Sequence, residues 1–162
     1  MAVLSLVGLA CNFVTVESSG SLLGASGAKA KSWNLGTWFD NIGDMDGVDE
    51  IGGWLLARWA LVATAILLVV MIAMVVIGYF IKPLKKNKIW KWTTFALGIV
   101  VAVGAVMFMI GTLVGCDAMS GSVGIEGIAS TAITYTASFG VYLFSFGSVA
   151  SAILSEVVLL RK

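Results

Sequence analysis

Two long runs of hydrophobic residues dominate the middle of the chain, one on each side of a short polar segment. The first run extends from Trp54 to Ile81, and the second, which contains no charged residue, extends from Trp92 to Gly115. An α-helix needs about 20 predominantly apolar residues to cross a hydrocarbon core about 30 Å thick. Each run exceeds that length, so each predicts a transmembrane helix.

Two further hydrophobic segments lie near the two ends of the chain. The first begins with Met1 to Val16; a helix of that length reaches only about 24 Å, so we extend it to about residue 23. It lacks the basic region that opens a secretory signal, so we interpret it as a span. The sequence therefore predicts an all-α membrane protein of one domain, a bundle of four transmembrane helices with spans at about 1–23, 54–81, 92–115 and 128–160.

The segment between the two central spans is strongly basic. Residues 82–91 contain five lysines and no acidic residue, and the chain ends in Arg161 and Lys162. Basic loops stay on the cytoplasmic side of a membrane. We therefore expect residues 82–91 to form an inner loop, residues 24–53 to form a large extracytoplasmic loop, and both termini to be cytoplasmic. The expected location is the plasma or cytoplasmic membrane.

The composition agrees with a membrane protein and narrows the chemistry. Hydrophobic residues make up 59% of the chain and charged residues 12%, against about 25% charged in soluble domains; the mean hydropathy is +1.01. Histidine, the commonest metal ligand and general base, is absent. We expect no catalytic residue, no cofactor and no metal ion, and the net charge of +1 does not indicate a nucleic-acid partner.

The two cysteines, Cys11 and Cys116, support the same view. They are too few for a zinc site and too far apart for a CxxC redox motif. A disulfide between them is conceivable, but two reduced thiols are the simpler interpretation.

Small residues recur in the third and fourth predicted spans at spacings that suit close helix contact. In lipid, helices associate through tight packing and interhelical hydrogen bonds, which small residues permit. Packing within one chain is the first interpretation, and association with a second copy or with another membrane subunit is the second. A pore lining by Ser145, Ser148, Ser151 and Ser155 is a third. The packing positions are Gly104, Gly111 and Gly115 in the third span and Gly147, Ser151 and Ser155 in the fourth.

Two charged residues lie inside predicted spans. Arg58 follows the start of the second span, where it can extend to the membrane surface or pair with an outer-loop acid such as Asp49 or Glu50. Glu156 lies near the end of the fourth span, where it can pair with an inner-loop lysine or mark an ion path.

The outer loop combines aromatic and acidic residues. Clustered carboxylates suit calcium, but the EF-hand pattern fails, because placing Gly47 at its sixth position puts Ile42 and Gly53 at the first and twelfth. A solvated acidic surface is the default interpretation. We expect this loop to carry recognition through Trp33, Trp38, Asp44, Asp46, Asp49 and Glu50.

The order of these features resembles the claudin-like four-transmembrane superfamily. The resemblance is carried by Trp33 and the LGTW stretch (Leu35 to Trp38) in the outer loop, by Arg58, and by Ser138 to Leu154 in the last span. The cysteine pair typical of that family's first outer loop has no counterpart here. The resemblance implies a non-enzymatic protein acting in cell junctions, in paracellular selectivity or as a channel auxiliary subunit, and it implies that an acidic loop favours cations.

We accordingly expect a structural or accessory membrane subunit, surrounded by lipid, that acts by lateral helix association and by outer-loop recognition. Two alternatives remain open. One is a homo-oligomeric channel or transport subunit in which Glu156, Arg58 and the serine face line a path. The other is a structural membrane protein of a larger filament or virion assembly.

Overall fold

The computed structural model describes residues 2–22, 25–44, 52–81, 87–125 and 129–160. Within these ranges the chain forms five α-helices and four β-strands. In chain order they are α1 (Ala2–Ala10), β1 (Val14–Leu22), β2 (Ala25–Trp33), α2 (Leu35–Asp44), α3 (Gly52–Phe80), α4 (Lys88–Met119), β3 (Gly121–Ile125), β4 (Ala129–Ala137) and α5 (Phe139–Leu160).

The two longest helices, α3 and α4, contain 29 and 32 residues and are long and apolar enough to cross a membrane. They contain the two central runs of the sequence except for Ile81, which follows the last residue of α3. Asn87 caps the start of α4, where its side chain accepts a hydrogen bond of 2.9 Å from the backbone N–H of Ile89. Helix α4 packs against both α3 and α5, and α1 packs against α5.

The strands form one antiparallel sheet in the order β2-β1-β4-β3. Strands β1 and β2 lie in the connection between α1 and α3, whereas β3 and β4 lie in the connection between α4 and α5. The two hairpins join because β1 pairs with β4 along its whole length, from Val14 opposite Ala137 to Leu22 opposite Ala129. We call the helix ends next to this sheet the sheet end.

The prediction of an all-α bundle of four helices is wrong, because strands replace parts of the first and the last predicted span. Helix α1 ends at Ala10, and residues 14–22 of the expected first span form β1; residues 129–137 of the expected last span form β4. Strand β4 alternates along ASTAITYTA, with Thr, Ile and Tyr at every second position. Branched and aromatic residues favour strands, and an average of hydropathy over a long window conceals that alternation.

An aromatic core lies where the sheet meets the helix ends. Phe108 of α4 is fully buried and packs edge-on against Phe13 and Phe144, with ring centroids 5.8 and 5.5 Å apart. The backbone fixes Phe13 from both sides: its N–H donates to the carbonyl of Trp33 at 2.8 Å, and its carbonyl accepts from the N–H of Ser138 at 2.8 Å. The sheet is therefore attached to the helices through its central strand.

A second, smaller core lies further from the sheet. Leu68 and Met71 of α3, Val101 of α4 and Ala152 of α5 are buried together. These contacts hold α3, α4 and α5 together along the part of their length that is away from the sheet.

Candidate recognition surface on the sheet

The strand register assigns every sheet residue to one of two faces, because directly opposed residues of antiparallel strands point to the same side. Thr15 lies opposite Ser32 on one side and Thr136 on the other, and Ser21 lies opposite Ser26 and Ser130. We call this side the hydroxyl face. Its members are Thr15, Glu17, Ser19, Ser21, Ser26, Ala28, Ala30, Ser32, Ser122, Gly124, Ser130, Ala132, Thr134 and Thr136.

The opposite side of the sheet, which we call the lysine face, is attached to the core at its base. Val14 and Trp33 are buried there, and the Trp33 ring contacts Tyr135 at 5.6 Å between centroids. Burial raises the pKa of the Tyr135 phenol above its ordinary value. Further from the helices this face carries the exposed side chains of Lys29 and Lys31.

The hydroxyl face is accessible along its length and is built almost entirely from short side chains. Most of its members are exposed, Thr15, Ser21 and Ala132 are half-buried, and Glu17 is its single charged residue. Two hydroxyl pairs connect neighbouring elements: Ser21 Oγ lies 2.8 Å from Ser130 Oγ, and Thr15 Oγ1 lies 2.6 Å from Ser138 Oγ. Ser19, Ser26 and Ser130 border a depression in this face.

The two tryptophans predicted for outer-loop recognition lie in the interior. Trp38 is fully buried in the aromatic core, 5.8 Å from the Trp54 ring and 6.1 Å from the Phe13 ring. Its helix, α2, begins after Asn34, whose side-chain oxygen accepts from the N–H of Thr37 at 2.9 Å. Trp33 and Trp38 therefore attach the sheet and α2 to the helices.

Only one of the four acidic residues predicted for recognition lies among the described residues. Asp44 is the last residue of α2, and Asp46, Asp49 and Glu50 lie outside the described residues. In the described part of the chain no group of three or more His, Cys, Asp or Glu residues is placed to hold a metal ion.

The two charges expected inside spans have different surroundings. The guanidinium carbon of Arg58 lies 5.8 Å from the centre of the Phe39 ring, a cation–π contact that joins α3 to α2. Glu156 is part of α5, but its side chain lies outside what the structure describes.

The glycines predicted for helix packing make close contacts within this chain. A Cβ atom built on Gly111 comes within 2.8 Å of the Ala57 nitrogen and of the Gly53 carbonyl oxygen, and one built on Gly115 comes within 2.7 Å of the Trp54 ring. The same holds for Gly104, whose Cβ meets the Thr64 hydroxyl. Contacts with a second copy stay a prediction.

The fourth-span positions also pack inside the chain. A Cβ on Gly147 lies 2.8 Å from the Ser5 hydroxyl of α1. Ser151 donates to the carbonyl of Gly147 at 2.7 Å, and Ser155 donates to the carbonyl of Ala152 at 2.7 Å. By contrast, Ser145 and Ser148 are buried without a hydrogen-bond partner among the described residues. Both cysteines are free, with Cys116 buried in the aromatic core.

The hydroxyl face is the feature that sequence reasoning missed. Its signal is the alternation in residues 129–137, but the face exists only because β4 pairs with β1 more than a hundred positions away. Comparison with protein-family models, with curated proteins and with solved structures finds no match to this chain.

Proposed function

We propose that this chain is a non-enzymatic integral membrane subunit that recognises another protein through the sheet at one end of its helices. One observation carries the proposal: both long connections at the sheet end are folded into a single sheet whose hydroxyl face is largely exposed. A fold that only crossed a membrane would not need such a surface.

The charge distribution supports an orientation for this subunit. Eight of the nine acidic residues fall in residues 11–52 and 117–138, the parts of the sequence that contain the four strands, whereas seven of the ten cationic residues fall in residues 82–91 and 161–162. Cationic segments are retained in the cytosol. We place the sheet outside the cell and both termini inside, in the plasma or cytoplasmic membrane.

The helices supply the anchor in this proposal. Helices α3 and α4 have the length and composition to cross the bilayer, and Gly53, Gly111 and Gly115 are already used in contacts between them. Recognition then falls to the sheet, as a cell-contact or channel-auxiliary surface of the kind that the claudin resemblance implies.

The test is the mass of the assembly purified in gentle detergent, for the natural chain and for two variants. Ser19→Lys with Thr134→Lys places two cations on the exposed hydroxyl face, and Val69→Ala with Val103→Ala trims two exposed helix positions. We expect a mass above that of one chain, lowered by the sheet variant and retained by the helix variant.

A mass lowered by the helix variant and retained by the sheet variant would assign association to the helices and contradict the proposal. A single-chain mass for the natural protein, together with no cross-linked partner in native membranes, would also contradict it. The rival channel function is tested in liposomes, where we expect no conductance. A conductance that Glu156→Gln abolishes would favour the channel.

A further inference from the structure

We infer, on the basis of the proposed function, that the protein bound by the hydroxyl face is basic and places a lysine or arginine side chain against Glu17. The partner is thereby defined by its chemistry, and Glu17 is the residue of this chain that recognises it.

Glu17 projects further from the hydroxyl face than the residues around it. It lies on β1, one of the two central strands, and its direct neighbours across the sheet are Ala30 of β2 and Thr134 of β4. Thr15 and Ser19 precede and follow it on the same face of β1. All four side chains are shorter than that of glutamate, and Glu17 is exposed. A protein that lies on this face therefore covers the Glu17 carboxylate.

Within the described part of the chain, no cation shares the hydroxyl face with this carboxylate. Lys29 and Lys31 belong to the opposite face of the sheet, and Arg58 lies against the Phe39 ring. The other seven cationic residues fall in residues 82–91 and 161–162, which come after α3 and α5 in the sequence. The counter-charge for a covered Glu17 must therefore come from the partner.

The cost of covering an unpaired carboxylate makes this counter-charge necessary. A carboxylate that leaves water without a partner loses its hydration and gains no interaction in return. A cation placed against it forms a charge-assisted hydrogen bond, which is shorter and stronger than a neutral one. The single charge of the face therefore selects a partner with a cation at the matching position.

The hydroxyls beside Glu17 complete the site for such a cation. A lysine ammonium group has three N–H donors and an arginine guanidinium has five, and neither group accepts a hydrogen bond. The carboxylate accepts some of these donors. Thr134 is directly opposite Glu17 and Ser19 is about 7 Å along the strand, so their hydroxyl oxygens can accept others. A cation bound here keeps its donors paired after it leaves water.

The charge of the whole sheet end favours the same class of partner. Residues 11–52 and 117–138, which contain the four strands, carry eight acidic residues and two lysines, a net charge of −6. An excess of one sign of charge speeds the approach of a partner of the opposite sign and opposes one of the same sign. A basic protein is therefore attracted before any contact forms.

The same excess of charge opposes two other occupants of the face. A second copy of this chain carries the same net charge of −6 in these segments, and anionic lipid headgroups are negative as well. Like charges repel across the gap between two surfaces. A basic partner is therefore favoured over both.

The experiment measures the Kd of the assembly in gentle detergent, by dilution followed by mass determination. Glu17→Gln removes the charge with little change in size. Asp40→Asn is the matched control, because Asp40 is also exposed but lies on α2, outside the sheet, and its loss changes the net charge equally. We expect Glu17→Gln to raise the Kd by more than about tenfold and Asp40→Asn by less than about threefold.

Salt separates the charge pair from a loss of packing. Raising NaCl from about 0.05 to about 0.5 M weakens an attraction between charges. We expect the Kd of the natural assembly to rise over this range, and the Kd of the Glu17→Gln assembly to rise less steeply. Circular dichroism of each variant shows that it retains its folded structure.

Three results would overturn the inference: an unchanged Kd in Glu17→Gln, equal changes in Glu17→Gln and Asp40→Asn, or the same salt dependence for the natural chain and Glu17→Gln. An assembly that Ser19→Lys with Thr134→Lys disrupts but Glu17→Gln leaves intact refutes the cationic partner group and leaves the proposed function standing. A natural chain without any partner, in gentle detergent and in native membranes, refutes both.

Discussion

The close contact between α3 and α4, which we call the seam, and the sheet are both rich in small residues and use them in opposite ways. In the seam, added carbon atoms on Gly111 or Gly53 would lie 2.6 to 3.1 Å from atoms of the facing helix, mostly backbone. In the sheet, an atom added to Gly27 or Gly121, which both lie on the lysine face, has nothing within 4 Å. In the seam small residues let two helices come close together, and in the sheet they lie on an exposed surface.

If the helices cross a membrane as proposed, the difference follows from the solvent of each region. Lipid chains are as apolar as the helix side chains, so helices gain free energy mainly from close packing, which glycine permits. A sheet in water can expose hydroxyls at no cost, because water satisfies them. A glycine- and serine-rich composition therefore has no single structural meaning, and its surroundings decide which role it takes.

The largest expected effect lies at the aromatic core, where the two regions join. Phe108→Ala removes a fully buried ring that contacts Phe13, Trp38 and Phe144. We expect a loss of about 3–5 kcal/mol in the free energy of unfolding, measured by denaturant titration in mixed micelles. The neighbouring Met107 is 45% exposed, so Met107→Ala is the control. Equal losses in the two variants would show that the core does not connect sheet and helices.

The next effect tests the seam itself. Gly111→Ala adds one carbon atom 2.8 Å from the backbone of α3, and backbone atoms cannot move aside as a flexible side chain can. We expect a loss of about 1–3 kcal/mol in the same titration. A neutral or stabilising result would mean that α3 and α4 do not approach as closely as described.

The sequence predicted the contact between α3 and α4 far better than it predicted the hydroxyl face of the sheet. Residues 54–81 and 92–115 exceed the length of a bilayer core, and length and apolar composition alone identified α3 and α4. Gly111 and Gly115 could be identified as packing positions because they lie four residues apart within one predicted helix. Trp33 and Trp38 were given to recognition because an aromatic residue in a polar loop does not show which way it points; both are buried.

The hydroxyl face could not be predicted from local sequence patterns. Thr15 meets Ser138, and Ser21 meets Ser130, across 123 and 109 positions of the chain. Nothing local to β1 indicates that β4 is its neighbour, and a shift of one residue in that pairing would bring the opposite face of β4 beside the same face of β1. The register therefore depends on the whole fold.

A smaller effect of the opposite sign is expected on the sheet. Gly27→Ala adds the same single carbon atom as Gly111→Ala, but into open space. Alanine restricts the unfolded chain more than glycine does, so we expect a gain of up to about 1 kcal/mol in the free energy of unfolding. The two substitutions form a matched pair, and losses of equal size would remove the distinction between seam and sheet.

The smallest expected effect is a change in alkaline stability at the base of the lysine face. Burial raises the pKa of Tyr135 in the folded protein. The neutral phenol therefore contributes stability that is fully present below the unfolded pKa of about 10. This stability is lost as the pH rises through the pKa of Tyr135 in the folded protein. Tyr135→Phe cannot ionise. The melting temperatures of the natural chain and of the variant should therefore differ by a constant amount between about pH 7 and pH 9, and the natural chain should lose more above about pH 10. Parallel curves throughout would show that Tyr135 is as solvated in the sheet as in the unfolded chain.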